Sequence, residues 1–244
     1  MARHISSSAR DDIRTHPAYS LQDAARYLRM PAATLRTWVF GRTFSSSGVA
    51  RRSEPLIELH DRSGKYLSFI NLIEAHVLAS IRRKYGVKLP KVRVALNFVK
   101  SSTAGVAGSD SPRPLIEESF ETDGLDLFVH QYGQLINTSR HGQVAMKELM
   151  SAYLQRIERD EKGLPIRLYP ITRFSVNDCH AANDPKVVVI SPLIAFGRPS
   201  ISGTGIPSSA IFERYQAGDS VNELARDFRL ESGAIEEAIR CEAA

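Results

Sequence analysis

The sequence contains two cysteines in 244 residues, Cys179 and Cys241. Two are too few for a disulfide framework or a four-cysteine metal site. No apolar run approaches the ~20 residues that span a bilayer, and the segment Met1 to Ser8 lacks the apolar core of a secretory signal. None of the histidines (His4, His16, His60, His76, His130, His141, His180) has another three or four residues away, the helical spacing of a metal pair. There is no phosphate-binding Gly-x-x-x-x-Gly-Lys loop, and Gly197, Gly203 and Gly205 do not have the spacing of a dinucleotide fingerprint. A nucleophile elbow is also missing. Cys179-His180 has no second cysteine nearby and reads as a surface loop. Glu117, Glu118, Glu121, Asp123 and Asp126 read as a solvated acidic face rather than a metal-nuclease cluster. These absences point to a cytoplasmic protein that is not an enzyme and uses no cofactor or metal. The composition is ordinary for a globular chain, 43% apolar and 24% charged.

What is present is an uneven charge. Residues 26–100 carry 15 Lys/Arg against 4 Asp/Glu, whereas residues 101–244 carry 14 against 20. The first balance is the footprint of a polyanion-binding module. The second would repel phosphates and suits a protein partner or plain solubility.

The local patterns divide the chain. Residues 1–18 are polar, mixed in sign and aperiodic, a flexible arm. Ser20 is a good N-cap with Asp23 three residues on, and Leu21, Ala24, Ala25 and Leu28 share one helical face. Pro31 opens a second helix, 32–40, which Gly41 stops. Two short helices so joined make a helix-turn-helix. Residues 45–52 read as a flexible basic loop. Leu56–Leu59 and Tyr66–Phe69, flanking Asp61–Lys65, read as a β-hairpin wing. A helix follows from about Ser68 to Tyr85, ended by Gly86, and Pro90 opens another carrying Val92, Leu96 and Val99. This winged helix-turn-helix domain spans 19–100. Residues 101–114 are a linker. In the middle region, 115–172, the short apolar runs Leu115-Ile116, Leu127–Val129 and Leu135-Ile136 read as strands, with Gly124 and Gly133 at turns. A helix over 140–158 and a strand over 164–171 follow. In 185–244 a buried strand, Val187–Ile190, and a turn-rich stretch precede helices near 208–216, 220–228 and 231–240. The fold class expected is α+β: a winged helix-turn-helix, a small strand-and-helix region and a C-terminal three-helix unit like a helix-turn-helix.

A helix-turn-helix lays its second helix in the major groove. Thr34, Arg36 and Thr37 are placed to reach base edges, with Arg36 suited to guanine. Arg42, Arg51, Arg52, Arg62 and Lys65 would hold phosphates or enter the minor groove, and Ser20 joins this DNA-binding set. Trp38 reads as a core or interface aromatic. The last helix carries Glu231, Glu236 and Glu237, which argues for a protein contact there rather than DNA.

Residues 19–85 resemble MerR-like winged-helix domains. The stretch Gly197-Arg198-Pro199-Ser200-Ile201-Ser202-Gly203-Thr204-Gly205-Ile206-Pro207 is similar to the hallmark of a bacterial domain of unknown function, DUF433, in which Arg commonly stands where this chain has Gly205. Together the layout resembles VapB-type antitoxins. That resemblance implies two partners: the DNA of the protein's own operator, and a small PIN-like ribonuclease toxin that it neutralises. The expected partner-binding residues are Arg198, Ile201, Thr204, Ile206 and Arg214. A homodimer on palindromic DNA would double the readout of one winged helix. The alternative is a MerR-like transcription regulator whose C-terminal half senses a ligand.

Overall fold

In a computed structural model of the chain, residues 12–46, 48–59, 66–85, 89–103, 113–173 and 184–243 are described. The first helix, α1 (Leu21–Tyr27), begins as its sequence dictates. The Ser20 hydroxyl accepts from the Asp23 N–H at 3.1 Å and donates to the Asp23 carboxylate at 2.6 Å. Its inner face is Ala24, Ala25 and Tyr27. After a four-residue turn, α2 (Ala32–Phe40) buries Leu35, Trp38 and Val39, and Gly41 caps it with its N–H on the Thr37 carbonyl.

The wing is not where the hydropathy pattern puts it. The hairpin is β2 (Thr43–Ser46) with β3 (Val49–Arg52), overlapping the segment 45–52 expected to be a flexible loop. Leu56 and Ile57 turn inward instead. Their N–H groups bond the Trp38 carbonyl at 2.7 and 3.1 Å, and Ile57 is completely buried. Tyr66-Leu67 is a strand, but it pairs antiparallel with Tyr19-Ser20, as β4 with β1. The expected turn Asp61–Lys65 and the helix end at Gly86 lie outside the described residues.

Helix α3 (Phe69–Tyr85) is the spine. Residues 69–81 are all buried. The helix packs on β4 on one side and on α6 (Arg140–Leu154) on the other. It is therefore apolar nearly all round, as a helix enclosed by two layers must be. Its buried polar side chains are matched individually. Asn71 donates to the Glu58 carbonyl and to Glu74. Glu74 also accepts from Arg113 at 2.9 Å, and the His76 ring nitrogen lies 3.0 Å from the Tyr153 carbonyl. Helix α4 (Leu89–Thr103) buries Val92, Leu96 and Val99 as expected and crosses α5 (Leu125–Leu135). One continuous apolar cluster thus runs from Tyr19 to Ile190, so the expected break at 101–114 does not separate two cores.

The middle region is helical where strands were expected. Residues 114–116 form a 3-10 turn, 120–124 a π turn and 125–135 helix α5. Leu125, Phe128, Val129 and Tyr132 fall at helical spacing and are buried. Gly133 is no turn residue; a Cβ there would come within 2.7 Å of Gln143 on α6. Helix α6 ends at Leu154, and Ile157 opens β5 (Ile157–Arg159), paired with β6 (Pro165–Leu168). The arm is also partly built in. Asp12 caps a 3-10 turn over 13–15, and Arg14 bridges to Asp160 at 2.8 Å.

The C-terminal unit follows the sequence closely. Strands β7 (Val188–Val189) and β8 (Ser200–Ile201) pair antiparallel, and three helices follow: α7 (Ser208–Gln216), α8 (Val221–Phe228) and α9 (Ser232–Glu242). A capping box formed by Ser220 and Glu223 starts α8. Ile211, Leu224, Ile235 and Ala238 form a second, smaller core. Leu168 bonds Ile190 in both directions, at 2.9 and 2.8 Å, and so carries the β-structure of the middle region into this unit.

Candidate nucleic-acid interface and the C-terminal unit

Of the residues expected to bind DNA, Thr34, Arg36 and Thr37 lie on α2, and Arg42, Arg51 and Arg52 lie at or on the hairpin that follows it. The start of α2 is exposed at Pro31, Ala32 and Ala33, small residues that leave the helix end open to a groove. Arg36 is exposed, its guanidinium 5.6 Å from the Phe40 ring, which lays it along the helix. Thr34 and Thr37 are half-buried, and the Thr37 hydroxyl donates to the Ala33 carbonyl. Gly41 takes φ +71° and passes so close to Ser53 that a Cβ would lie 1.9 Å from its carbonyl oxygen. This close passage turns the chain straight from α2 into the wing.

Every described side chain of β3 is exposed, including Arg51 and Arg52. Arg52 donates to the Phe40 carbonyl at 3.3 Å, tying the wing to the end of α2. Arg42 sits at the base of the hairpin, its N–H on the Ser53 hydroxyl at 2.9 Å. Phe44 pairs with Arg51 across the hairpin and is itself exposed. Among the described residues, Arg36, Arg42, Arg51 and Arg52 enter no ion pair. By contrast, the two arginines of α1 and its turn face inward. Arg26 pairs with Glu242 and Arg29 donates to the Arg240 carbonyl, both on α9. The Ser20 hydroxyl is occupied by its cap, and Arg62 and Lys65 lie outside the described residues. The wing was missed because none of its described side chains is buried; its legible signal was Ser47-Gly48, two residues between the partners Ser46 and Val49. Trp38 is a core residue.

The expected partner-binding residues scatter. Ile201 is buried at 3% exposure and Ile206 packs on the same core, so both serve this chain's own interior. Thr204 bonds the Ile201 carbonyl within its turn. Arg214 is closed by Asp219 at 2.6 Å, by Asp227 at 2.7 Å and by the Phe228 ring. Arg198 is exposed and donates to the Ala195 carbonyl. Gly205 adopts φ +72°, a conformation that glycine takes readily and bulkier side chains disfavour. Glu237 does not face solvent. It is buried at 1% exposure between Arg173, Arg240 and Thr172. Arg156, also 1% exposed, donates to the carbonyls of Tyr169, Pro170, Asp184 and Pro185 and closes the junction between the middle region and the C-terminal unit. Burial pushes the Cys241 thiol up to about 12, leaving it unreactive. Among the described residues no group of three or more His, Cys, Asp or Glu is placed to hold a metal, and no helix is long and apolar enough to cross a membrane. Cys179 and His180 lie outside the described residues.

Two family models match these two surfaces. Residues 17–96 match a "Putative DNA-binding HTH domain", and residues 188–240 match the "Protein of unknown function (DUF433)". A curated protein of Mycobacterium tuberculosis strain H37Rv, "Putative antitoxin VapB45", is 27% identical over 240 residues, covering 91% of this chain and 92% of the relative. This chain resembles a VapB-type antitoxin with HTH and DUF433 domains. The crystal structure of Rv2018 from Mycobacterium tuberculosis has the same fold, with a TM-score of 0.62 and 21% identity over 92% of this chain and 98% of that one. The HTH match covers α1, α2 and the wing, and the DUF433 match covers β7 to α9. The similarities are those of a DNA-binding regulator.

Proposed function

We propose that the protein is the antitoxin of a type II toxin–antitoxin pair. It represses its own operon by binding operator DNA as a homodimer, and it neutralises a PIN-like ribonuclease by direct contact. The observation that carries this reading is the end-to-end similarity to a protein described as an antitoxin. The exposed arginines of α2 and the wing, unpaired among the described residues, support the DNA half. In this reading Arg36 meets base edges, with Thr34 and Thr37 beside it, while Arg42, Arg51 and Arg52 meet phosphates. Arg62 and Lys65 would add to the phosphate contacts.

The test is co-expression with the short reading frame beside this gene. Relief of growth arrest, together with protection of the promoter upstream, is the expected result. A chain that binds the promoter but leaves the arrest intact would remove the antitoxin half and keep the regulator. One observation favours a second reading, a ligand-sensing transcription regulator. A cleft of about 390 Å³ between the HTH unit and α9 is lined by Arg29, Thr172, Arg173, Arg240 and Ala243.

A further inference from the structure

The wing is a hairpin without an interior. Residues 24–53 hold six arginines and no Asp or Glu. Of these, Arg26 and Arg29 turn toward α9, whereas Arg36, Arg42, Arg51 and Arg52 are exposed and enter no ion pair among the described residues. On this cationic surface stand two apolar side chains, Phe44 at 39% exposure and Val49 at 59%. Neither belongs to the apolar clusters that hold the chain together. A phenylalanine kept in water there adds nothing to the core and, being uncharged, nothing to a phosphate contact.

The register gives the ribbon two chemically different faces. Phe44 lies directly opposite Arg51, and Val49 lies opposite Ser46. Side chains alternate along a strand, so Phe44, Val49 and Arg51 share one face, and Thr43, Ser45, Ala50 and Arg52 share the other. Val49 is the diagonal neighbour of Phe44, about 7–8 Å away, close enough for the two to form one apolar strip. The second face is tied to the body of the HTH unit, since Arg52 donates to the Phe40 carbonyl at the end of α2. The strip and Arg51 therefore lie on the face away from that tie. The base of the hairpin is fixed by the Ser53 N–H on the Arg42 carbonyl at 2.8 Å, so the strip is held in place before any contact is made.

We propose that Phe44 is a wedge that enters the minor groove of DNA beside the site read by α2, with Val49 against the groove wall and Arg51 on the flanking phosphate. This proposal rests on the operator-binding reading above. Charge selects a nucleic acid as the occupant, because the strip is set among four arginines without ion pairs among the described residues, in a segment that has no carboxylate. Duplex geometry selects the groove. Only residues 41 and 42 separate α2 from β2. With α2 in the major groove, the wing overlies the adjoining backbone and the groove beyond it, which is the minor one. That groove is ~6 Å wide, so it excludes a two-stranded ribbon but admits single side chains. An apolar side chain inserted there unstacks a base step, and the cost is lowest at pyrimidine–purine steps. Phe44 would thus impose a sequence preference at a position that α2 does not touch.

The test uses the full-length chain on a duplex of its own promoter and on an unrelated duplex. Phe44 is exposed, so Phe44→Ala should leave the melting temperature unchanged. It should weaken promoter binding roughly tenfold, and binding to unrelated DNA much less. The salt dependence should stay the same, since no charge is lost, which separates Phe44 from Arg51. 2-Aminopurine placed in turn at the pyrimidine–purine steps flanking the protected core should brighten at one step when the unaltered chain binds, and stay dark with Phe44→Ala. Phe44→Leu should recover most of the affinity and the brightening, because leucine also serves as a wedge. No brightening with the unaltered chain, or the same brightening with Phe44→Ala, would overturn the proposal. An equal loss on both duplexes would also overturn it, by reducing Phe44 to a contact without readout. A variant that loses self-association in light scattering but keeps the brightening would assign the strip to a second copy and overturn it as well. If the unaltered chain does not prefer its promoter, the operator reading fails first and the wedge with it.

Discussion

The wing arginines give the most direct quantitative prediction. Each phosphate neutralised on duplex DNA releases condensed counterions, so log K falls with log[salt] at a slope of about −0.9 per contact. Arg36, Arg42, Arg51 and Arg52 are exposed and form no ion pairs among the described residues. If Arg42, Arg51 and Arg52 each engage a phosphate, the slope is about −2.7 per subunit, and a homodimer doubles it to about −5.4. Raising salt from ~50 to ~200 mM then weakens one subunit's contribution about 40-fold. Arg51→Ala removes one exposed cation and no side-chain hydrogen bond among the described residues. It should leave folding unchanged and flatten the slope by about 0.9 per subunit. Arg36→Ala should behave differently, costing about 1–3 kcal/mol on the cognate operator and much less on unrelated DNA. Fluorescence anisotropy on operator and scrambled duplexes across a salt series separates the two effects. A slope that is identical in Arg51→Ala and the unaltered chain would refute the wing as a phosphate clamp.

Two further predictions concern the scaffold. Burial raises Glu74 to about 7, against the opposing pull of Arg113 and Asn71. A carboxyl raised in the folded state adds most stability below its unfolded pKa and loses that contribution as pH rises to the folded value. Stability should therefore decline between about pH 4.5 and 7, by up to ~3 kcal/mol at 1.36 kcal/mol per unit, and Glu74→Gln should flatten the decline in urea titrations. Arg156→Met should destabilise by about 2–5 kcal/mol because four backbone carbonyls lose their buried donor; a loss under ~1 kcal/mol would mean that water replaces the guanidinium.

The parts legible in the sequence were those whose signal is local. Ser20, Pro31 and Gly41 bound the two HTH helices, and Ser220 with its capping Glu223 opens α8, because caps act within four residues. The wing escaped because hydropathy alternation marks only strands with a buried face, and β3 has none. Helix α5 was misread because Gly124 and Gly133 look like turn signals; Gly133 instead sits inside the helix, where a Cβ would meet Gln143 of α6. Glu237 read as part of a protein-contacting face, yet it is buried within this chain and its partner Arg173 stands 64 residues away. Pairings of that range leave no mark on periodicity or spacing. The aromatic at Phe196 is plain in the sequence, but the positive φ that it takes is imposed by the fold.

These long-range pairings bear on how the two halves work together. Helix α1 lies against α2 on one side and meets α9 through Arg26–Glu242 and Arg29 on the Arg240 carbonyl. Tyr19, two residues before α1, supports the strained loop at Gly197. The loop at Gly197 and α2, the helix proposed to read DNA, are thus separated by one strand, one seven-residue helix and a short turn, all packed in the same core. A partner that displaces the loop must also move Tyr19 or open the contact between them. Linkage then constrains the outcome. By whatever factor a bound toxin changes operator affinity, the operator changes toxin affinity by the same factor and in the same direction. Repression that strengthens in the complex therefore requires an antitoxin that holds its toxin more tightly on DNA than in free solution.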